Sequence, residues 1–463
     1  MEKSAKNKGL VVLSLSLVFI LFLSIFTFLS LQPVTETRIA DCKSRIADLE
    51  KTITELEENS STEETSEEEK TPKQLAEDKI KNYENRIVML ENRSTYYIIA
   101  MFLVIALLAG GFVYHMFADV HFAAPLSAMA LLLAIGFSFK VIVSFYLSDI
   151  IIVAASIVLG VSSYLFFKRL TNINNIIFYA LCGGVILLLV INLIFGKNVS
   201  DPTSGARLWL YIGSISIQPG EIIKFLLILI GAHSFGNNKR IMLYYAVSLI
   251  SCFTLLYLRD LGTATIIFAL ALMMTILLLD NAKLFFICII GAIGMLLVAF
   301  GMFDYVRERF MNTGNAMADP ASQQAQLLKA VIFGGIGGLG FENSSYIINI
   351  FAIDSDMVIG GITSIFGVGM LFIVMLCYAA LVLLPRKNIA VYPWAYYVTT
   401  QASVAVAVQV LLNFLGSMDV IPFTGVVAPF LSNGGSATVT YCMIFGLVFA
   451  SLNPKIKPLS EKN

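Results

Sequence analysis

Charge is scarce in this chain. Only 13% of its 463 residues are Asp, Glu, Lys or Arg, and the two signs balance at 31 each. No bulk charge is left to draw in nucleic acid, so a nucleic-acid partner is not expected. His115, His121 and His233 are scattered, and a metal site built on them is improbable. The six Cys (Cys42, Cys182, Cys252, Cys288, Cys377, Cys442) show no metal or redox spacing, and all but Cys42 fall in apolar segments. A P-loop and a dinucleotide fingerprint are both missing. The first apolar run, Leu10–Leu31, is too long for a signal-peptide core and lacks a small-residue cleavage site, so it reads as a retained membrane helix.

What is abundant is apolar length. Hydrophobic residues make up 58% of the chain and mean hydropathy is +0.82. The fold class expected is an all-α polytopic membrane protein of about twelve transmembrane helices. The runs are Leu10–Leu31, Tyr96–Met116, Ala123–Phe145, Asp149–Phe167, Ile176–Phe195, Glu221–Phe235, Met242–Leu258, Ala264–Leu279, Leu284–Phe303, Met357–Leu384, Ala395–Phe414 and Ser436–Leu452. Lys3, Lys6 and Lys8, then Lys168-Arg169, Lys239-Arg240, Lys283 and Arg386-Lys387, put both termini in the cytoplasm by the positive-inside rule.

Between the first two runs stands a segment of different character. Ile39, Cys42, Ile46, Leu49, Ile53 and Leu56 recur at spacings of three and four, as do Ile80, Tyr83, Ile87 and Leu90. The acidic run Glu57 to Lys70 between them reads as solvated linker. Two such arms predict an extracytoplasmic coiled-coil hairpin, each arm reaching on the order of 30 Å. Pairing between chains, with Cys42 as a crosslink, is the alternative.

The stretch Gly205–Lys224 is the most informative. Pro219 is suited to the first position of a helix, and Glu221 to the positive end of its dipole. Glu221 and Lys224 share a helix face. Taken alone, they read as a helix-end ion pair that snorkels to the headgroups. The predicted topology, however, collects every unusual polar group on one side: Arg207, Trp209, Gln218, Glu221, Lys224, Arg259, Asp260, Thr263, Arg307, Arg309 and Gln326. The Gly-rich run Gly334–Gly340, the Asp354-Ser355-Asp356 turn and the loop Pro422 to Ser436 join them. Non-helical backbone at membrane depth needs protein or a water-filled cavity around it, so a polar cavity opening outward is expected. Arg and Lys there suit an anionic headgroup on a lipid, and a carboxylate can take a proton from a sugar hydroxyl.

These motifs resemble the SEDS family (shape, elongation, division and sporulation) of the FtsW/RodA type. Gly205-Ala206-Arg207-Leu208-Trp209 and Gln218-Pro219-Gly220-Glu221…Lys224 match its GARRW…QPSE…K, and Arg259-Asp260-Leu261-Gly262-Thr263 its PDLGT. Arg307, Arg309, Gln326 and the Gly run match its outer loop, and Ser355-Asp356-Met357 its TDF. Gln409, Asn413, Pro422, Thr424-Gly425, Pro429-Phe430 and Ser432-Asn433-Gly434-Gly435-Ser436 match the final motif. The match covers about Ile176 to Leu452. Gly220 stands for the family's Ser, Arg259 for Pro, Asn433 for Tyr, and Ser364-Ile365 for an acidic pair.

The resemblance implies a peptidoglycan glycosyltransferase polymerising lipid II at the outer face of the bacterial membrane, with undecaprenyl pyrophosphate leaving. It implies a class B penicillin-binding protein as partner, and Asp356 as the catalytic residue. Substrate binding is expected of Arg207, Glu221, Lys224, Asp260, Arg307, Arg309, Gln326, Gln409, Asn413, Ser432 and Ser436. No cofactor is implied, and a divalent cation is left open. Asp356 lies where the outer loop meets a helix, whose positive end should keep it ionised. The domains expected are residues 1–32 as first span, 33–95 as hairpin, 96–175 as additional and early spans, 176–453 as SEDS-like core with outer loop 304–356, and 454–463 as cytoplasmic tail. Two other readings compete: a lipid-linked sugar transporter or flippase, and a non-catalytic scaffold. A transporter would show internal repeats, and none is seen.

Overall fold

In the computed structural model the described residues are 2–59, 72–117, 123–168, 173–197, 205–213, 215–279, 282–383 and 393–452, and they are mostly helical. Much of the linker, the loops at 118–122 and 384–392, Arg169 and the tail lie outside them. In chain order the helices are α1 (Glu2–Asn59), α2 (Pro72–Phe117), α3 (Ala123–Val143), α4 (Leu147–Phe167), α5 (Asn175–Phe195), α6 (Pro219–Ala232), α7 (Asn238–Tyr257), α8 (Leu261–Leu279), α9 (Ala282–Met302) and α10 (Asp304–Asn312). Then follow α11 (Gln323–Gly334), α12 (Ser345–Ile348), α13 (Val358–Phe366), α14 (Val368–Val382), α15 (Pro393–Ser417) and α16 (Gly435–Ser451). A small antiparallel hairpin, β1 (Leu210–Ile212) and β2 (Ile215–Ile217), leads into α6.

Apart from Met357–Leu384, the long apolar runs each form a helix, because backbone groups can pair only within the segment once water is gone. Among the described residues seven helices are long and apolar enough to cross a membrane, eight if the bent pair Ile289–Met302 and Asp304–Asn312 counts as one span. The expected twelve therefore include shorter pieces. At 14 residues α6 rises about 21 Å, less than a hydrocarbon core of roughly 30 Å.

One expected span is broken. Met357–Leu384 is not one helix: α13 stops at Phe366 and α14 restarts after Gly367, whose φ is 81°. A Cβ at Gly367 would meet Ile336 O at 2.0 Å, so the Gly run packs directly on the break. Leu339 N–H donates to Ser364 O (2.8 Å) and Gly340 N–H to Ile365 O (3.0 Å), which satisfies the orphaned carbonyls of α13. The Gly run thus serves close backbone packing.

α3 lies at the centre, nearly all of it buried. α4 packs along α16 and α15 against α8. Where α4 and α16 meet, a Cβ on Gly446 would touch Gly160 O at 2.2 Å; small residues let the helices approach this closely. α1 runs unbroken through Pro33 and packs beside α2, and both pack on α3. The less exposed positions along the pair beyond the first apolar run include Cys42, Ile46, Leu49 and Ile53 of α1 and Ile80, Tyr83, Ile87 and Leu90 of α2; the side chain of Leu56 lies outside the described residues. Cys42 is buried as a free thiol, which leaves it no surface for a crosslink between chains.

Candidate active site

The turn Ala352–Met357 joins the long loop 304–351 to α13. Ala352 takes a positive φ of 58°, and its carbonyl accepts from Ser355 N (3.2 Å) and Met357 N (3.1 Å). Side chains distant in sequence hold this turn. Asn413 Nδ2 donates to Asp356 O (2.9 Å) and to Val426 O (2.8 Å). Ser432 Oγ donates to Ser355 O (2.6 Å). Asn433 donates through its backbone N to Asp354 O (2.7 Å) and through Nδ2 to Asp354 Oδ2 (3.2 Å). Ser144 Oγ, just past α3, donates to the same Asp354 oxygen (2.9 Å).

The two acidic groups of the turn are therefore unlike. Asp354 is held by two donors, whereas the Asp356 carboxyl has no hydrogen bond among the described residues. It lies against Gly425, where a Cβ would sit 3.4 Å from Oδ2. Burial, and then the charge of Asp354, push the Asp356 pKa up to about 6, against the pull of Arg309. This corrects the helix-end expectation. Asp356 precedes the N-cap Met357 of a nine-residue helix, and the partial charge there is outweighed by desolvation.

A cavity of about 420 Å³ is lined by Arg259, Tyr305, Glu308, Arg309, Gln324 and Asp419, among others, and Arg309 is near enough to Asp356 for their charges to interact. The guanidiniums of Arg259 and Arg309 each lie 5.6 Å from the Tyr305 ring centre. Cation–π contact of this kind holds both charges without neutralising them. Arg309 Nη1 is buried with no hydrogen-bond partner among the described residues. Arg259 takes a φ of 67°, which the family's Pro cannot adopt.

Deeper in the bundle is a second polar group. Lys224 Nζ donates to Glu221 Oε1 (2.8 Å) and to Gln409 Oε1 (2.7 Å). Tyr441 OH donates to that same Gln409 oxygen (2.7 Å), and its ring lies 5.5 Å from Nζ. Gln409 Nε2 donates to Val427 O (2.9 Å). Lys224 is 0% exposed and Glu221 3%, so the pair does not snorkel. Gln409 and Asn413, one helical turn apart on α15, grip the adjacent carbonyls of Val427 and Val426. That gives the irregular last loop the partners it needs inside the bundle.

The other expected residues are placed as follows. Asp260 caps α8 by accepting from Thr263 N (3.0 Å), and it also accepts from Gln218 Nε2 (3.3 Å). Ser436 Oγ accepts from Gln218 N (3.1 Å). Arg207 is exposed, donates to Leu193 O (2.9 Å) and lines a separate cavity with Phe253 and Tyr257. Arg307 pairs with Asp304 at the surface. Gln326 bonds to Ala321 O of its own loop (2.8 Å), and Gln324 lines the cavity instead. Sequence reasoning passed over Lys140, Ser144, Asp149, Tyr305 and Tyr441. Lys140 and Asp149 are buried near enough to Asp354 for their charges to interact. A Lys inside an apolar run is the signal that could have found this cluster. Among the described residues no three His, Cys, Asp or Glu come together as a metal site.

A helical, multi-pass membrane protein with a carboxylate turn clasped between its outer loop and its last loop is the class these observations define. The chain belongs to the FtsW, RodA and SpoVE family of cell cycle proteins, whose family model matches residues 137–454. It is 28% identical over 294 residues, 58% of this chain and 74% of the other, to the Saccharophagus degradans protein named "Probable peptidoglycan glycosyltransferase FtsW". The Bacillus subtilis protein of the same name is 26% identical over 313 residues, 60% of this chain and 77% of that one. The fold of the present chain is similar to that of a chain in a solved structure described as "Structural coordination of polymerization and crosslinking by a peptidoglycan synthase complex". The TM-score is 0.56 at 21% identity, over 70% of this chain and 96% of that one.

Proposed function

We propose that this chain is a peptidoglycan glycosyltransferase that joins lipid II units into glycan strands, in cell division or cell-shape maintenance. Family membership and the relatives' names support the activity. The observation that carries the site is the difference between the two acids: Asp354 is tied down by Ser144 and Asn433, while Asp356 is left free under the charge of Arg309 in the two-Arg cavity. The acceptor sugar's 4-hydroxyl is a weak nucleophile. A carboxylate with a pKa near 6 is ionised at neutral pH yet basic enough to take its proton as it attacks the anomeric carbon.

The leaving pyrophosphate carries the charge that develops in this step. Arg259 and Arg309 on Tyr305 suit it, because guanidinium groups bind phosphate oxygens bidentately and the unpartnered Nη1 of Arg309 has a donor to give. Asn413 and Ser432 act on the reaction by fixing the backbone of the turn, and Lys224, Glu221 and Gln409 by fixing the last loop behind it. The Lys and Arg pattern of the loops puts the termini in the cytoplasm and the site at the outer face of the bacterial cytoplasmic membrane. A class B penicillin-binding protein is the partner, since glycan made here must be crosslinked; the fold likeness to a chain of a synthase complex supports it.

The test is purified protein with labelled lipid II and a gel for glycan products. Asp356→Asn abolishes product while leaving membrane insertion intact. Product at near wild-type rate in that variant removes Asp356 from the chemistry.

A further inference from the structure

We propose that the N-terminal pair α1–α2, all of which precedes residue 137 where the family match begins, is a positioning element for the Asp354–Asp356 turn, acting through Arg38. Arg38 is half-buried at the base of the pair. Its Nη1 donates to Ile142 O (2.9 Å) and its Nη2 to Ser344 Oγ (2.8 Å). Arg93 of α2 reaches the same place, donating to Ile142 O (3.4 Å) and Val143 O (3.2 Å). Two guanidiniums, one from each helix, therefore hold the last carbonyls of α3, the negative end of that helix.

The next residue is Ser144, whose hydroxyl holds Asp354. The path from Arg38 to the acid pair is two short hydrogen-bonded steps with one peptide unit or two between them. On the other side, Ser344 is buried in the outer loop, and its neighbourhood is tied to α1 a second time. Phe341 packs edge-on against Phe26 of α1 (5.9 Å) and against Phe366 at the end of α13 (5.7 Å). α13 is the helix that starts directly after the turn. The pair thus grips both flanks of the turn, and the same α1 helix does both.

Arg38 touches no reacting atom in this scheme. It sets where Asp356 sits, and small misplacements of a catalytic group are expensive: a shift of about 1 Å can cost roughly a hundredfold. This inference rests on the polymerase reading, so its test has one arm that does not depend on activity. Full-length Arg38→Ala, Arg38→Lys and Arg45→Ala are compared with wild type in detergent. Arg45 lies further along α1 in a surface pair with Asp41 and serves as the control.

In Arg38→Ala, kcat falls about tenfold to a hundredfold with KM for lipid II little changed. Amide hydrogen exchange rises across residues 341–357 and stays at wild-type level in α15 and α16. Lys carries a single donor head in place of the two-pronged fork, so Arg38→Lys recovers part of both effects. Arg45→Ala changes neither. Unchanged exchange across 341–357 in a folded Arg38→Ala preparation overturns the proposal, as does a KM increase with kcat intact. If Arg38→Ala does not fold, Ser344→Ala, which removes one arm of the clamp, is read the same way. A wild-type protein that makes no glycan sinks the polymerase reading, and the exchange arm then decides the positioning claim alone.

Discussion

The Asp356 carboxyl links stability to activity, and the link can be measured. Burial and the neighbouring Asp354 raise its pKa from an ordinary 3.8 to about 6. Two units correspond to about 3 kcal/mol. Because the folded-state pKa is the higher one, the contribution to stability is fully present below about pH 4 and is lost as pH rises through about 6. At pH 8 the wild-type fold therefore carries an ionised carboxylate that it would rather hold protonated. Asp356→Asn removes that burden and keeps the shape of the neutral acid. The variant should unfold at a higher temperature than wild type at pH 8, by up to about 3 kcal/mol in stability, with the difference roughly halved at pH 5 and closing only below about pH 4. The same substitution removes the base, and turnover should drop by roughly a hundredfold to ten-thousandfold. In wild type, glycan synthesis should rise with pH through about 6, because only the ionised form accepts a proton. Thermal unfolding in detergent across pH 5 to 8 and the lipid II gel assay read the two halves. A variant no more stable than wild type at pH 8, or wild-type activity flat across that range, refutes the reasoning.

Three further outcomes follow from named contacts. Lys224→Ala leaves Glu221 buried without its cation and should cost roughly 3–5 kcal/mol in thermal unfolding, while Lys224→Met with Glu221→Gln recovers part of it. Gly367→Ala forces a Cβ onto Ile336 O at a φ of 81° and should destabilise by at least about 1–3 kcal/mol, seen as a lower unfolding temperature and as faster amide exchange in the Gly334–Gly340 run. Cys42 is 3% exposed, so a thiol reagent should label it slowly in the folded protein and quickly once Ile46→Asp and Ile87→Asp part the two helices. Labelling at one rate in both would mean that α1 and α2 do not bury this position in solution.

The helices were legible because each apolar run is long, and a long run in lipid has one way to pair its backbone. The spacing of Glu221 to Lys224 and of Gln409 to Asn413 placed those pairs on shared faces. What spacing could not supply was depth. Lys224 looked like a headgroup contact because its other partner, Gln409, is 185 residues away. The break at Gly367 was hidden because Phe366-Gly367-Val368-Gly369 is as apolar as what surrounds it, and the partner that stabilises the break is a different Gly run. Of the loop arginines, Arg309 turns inward and Arg307 does not, because Tyr305 stands beside only one of them. The sign of the Asp356 shift followed a helix-end argument that holds for exposed groups, and burial reversed it.

Of the departures from the family pattern, Gly220 lies against Asp260 and Thr263 and Ser364-Ile365 against the Gly run, whereas Asn433 and Arg259 bear on the acidic turn and on Arg309's cavity. Asn433, where the family has Tyr, donates twice to Asp354. Arg259, where the family has Pro, takes a backbone conformation closed to Pro and lines a cavity with Arg309, whose charge acts on Asp356. The added helices α1 and α2 reach the same place through Ile142, Ser144 and Ser344. Asp354 now draws its two donors from Ser144 and Asn433, the first anchored by the added helices and the second a changed residue. Removing either donor, as Ser144→Ala or Asn433→Ala, should therefore leave Asp354 half-held, and removing both should speed amide exchange across residues 352–357 more than either change alone.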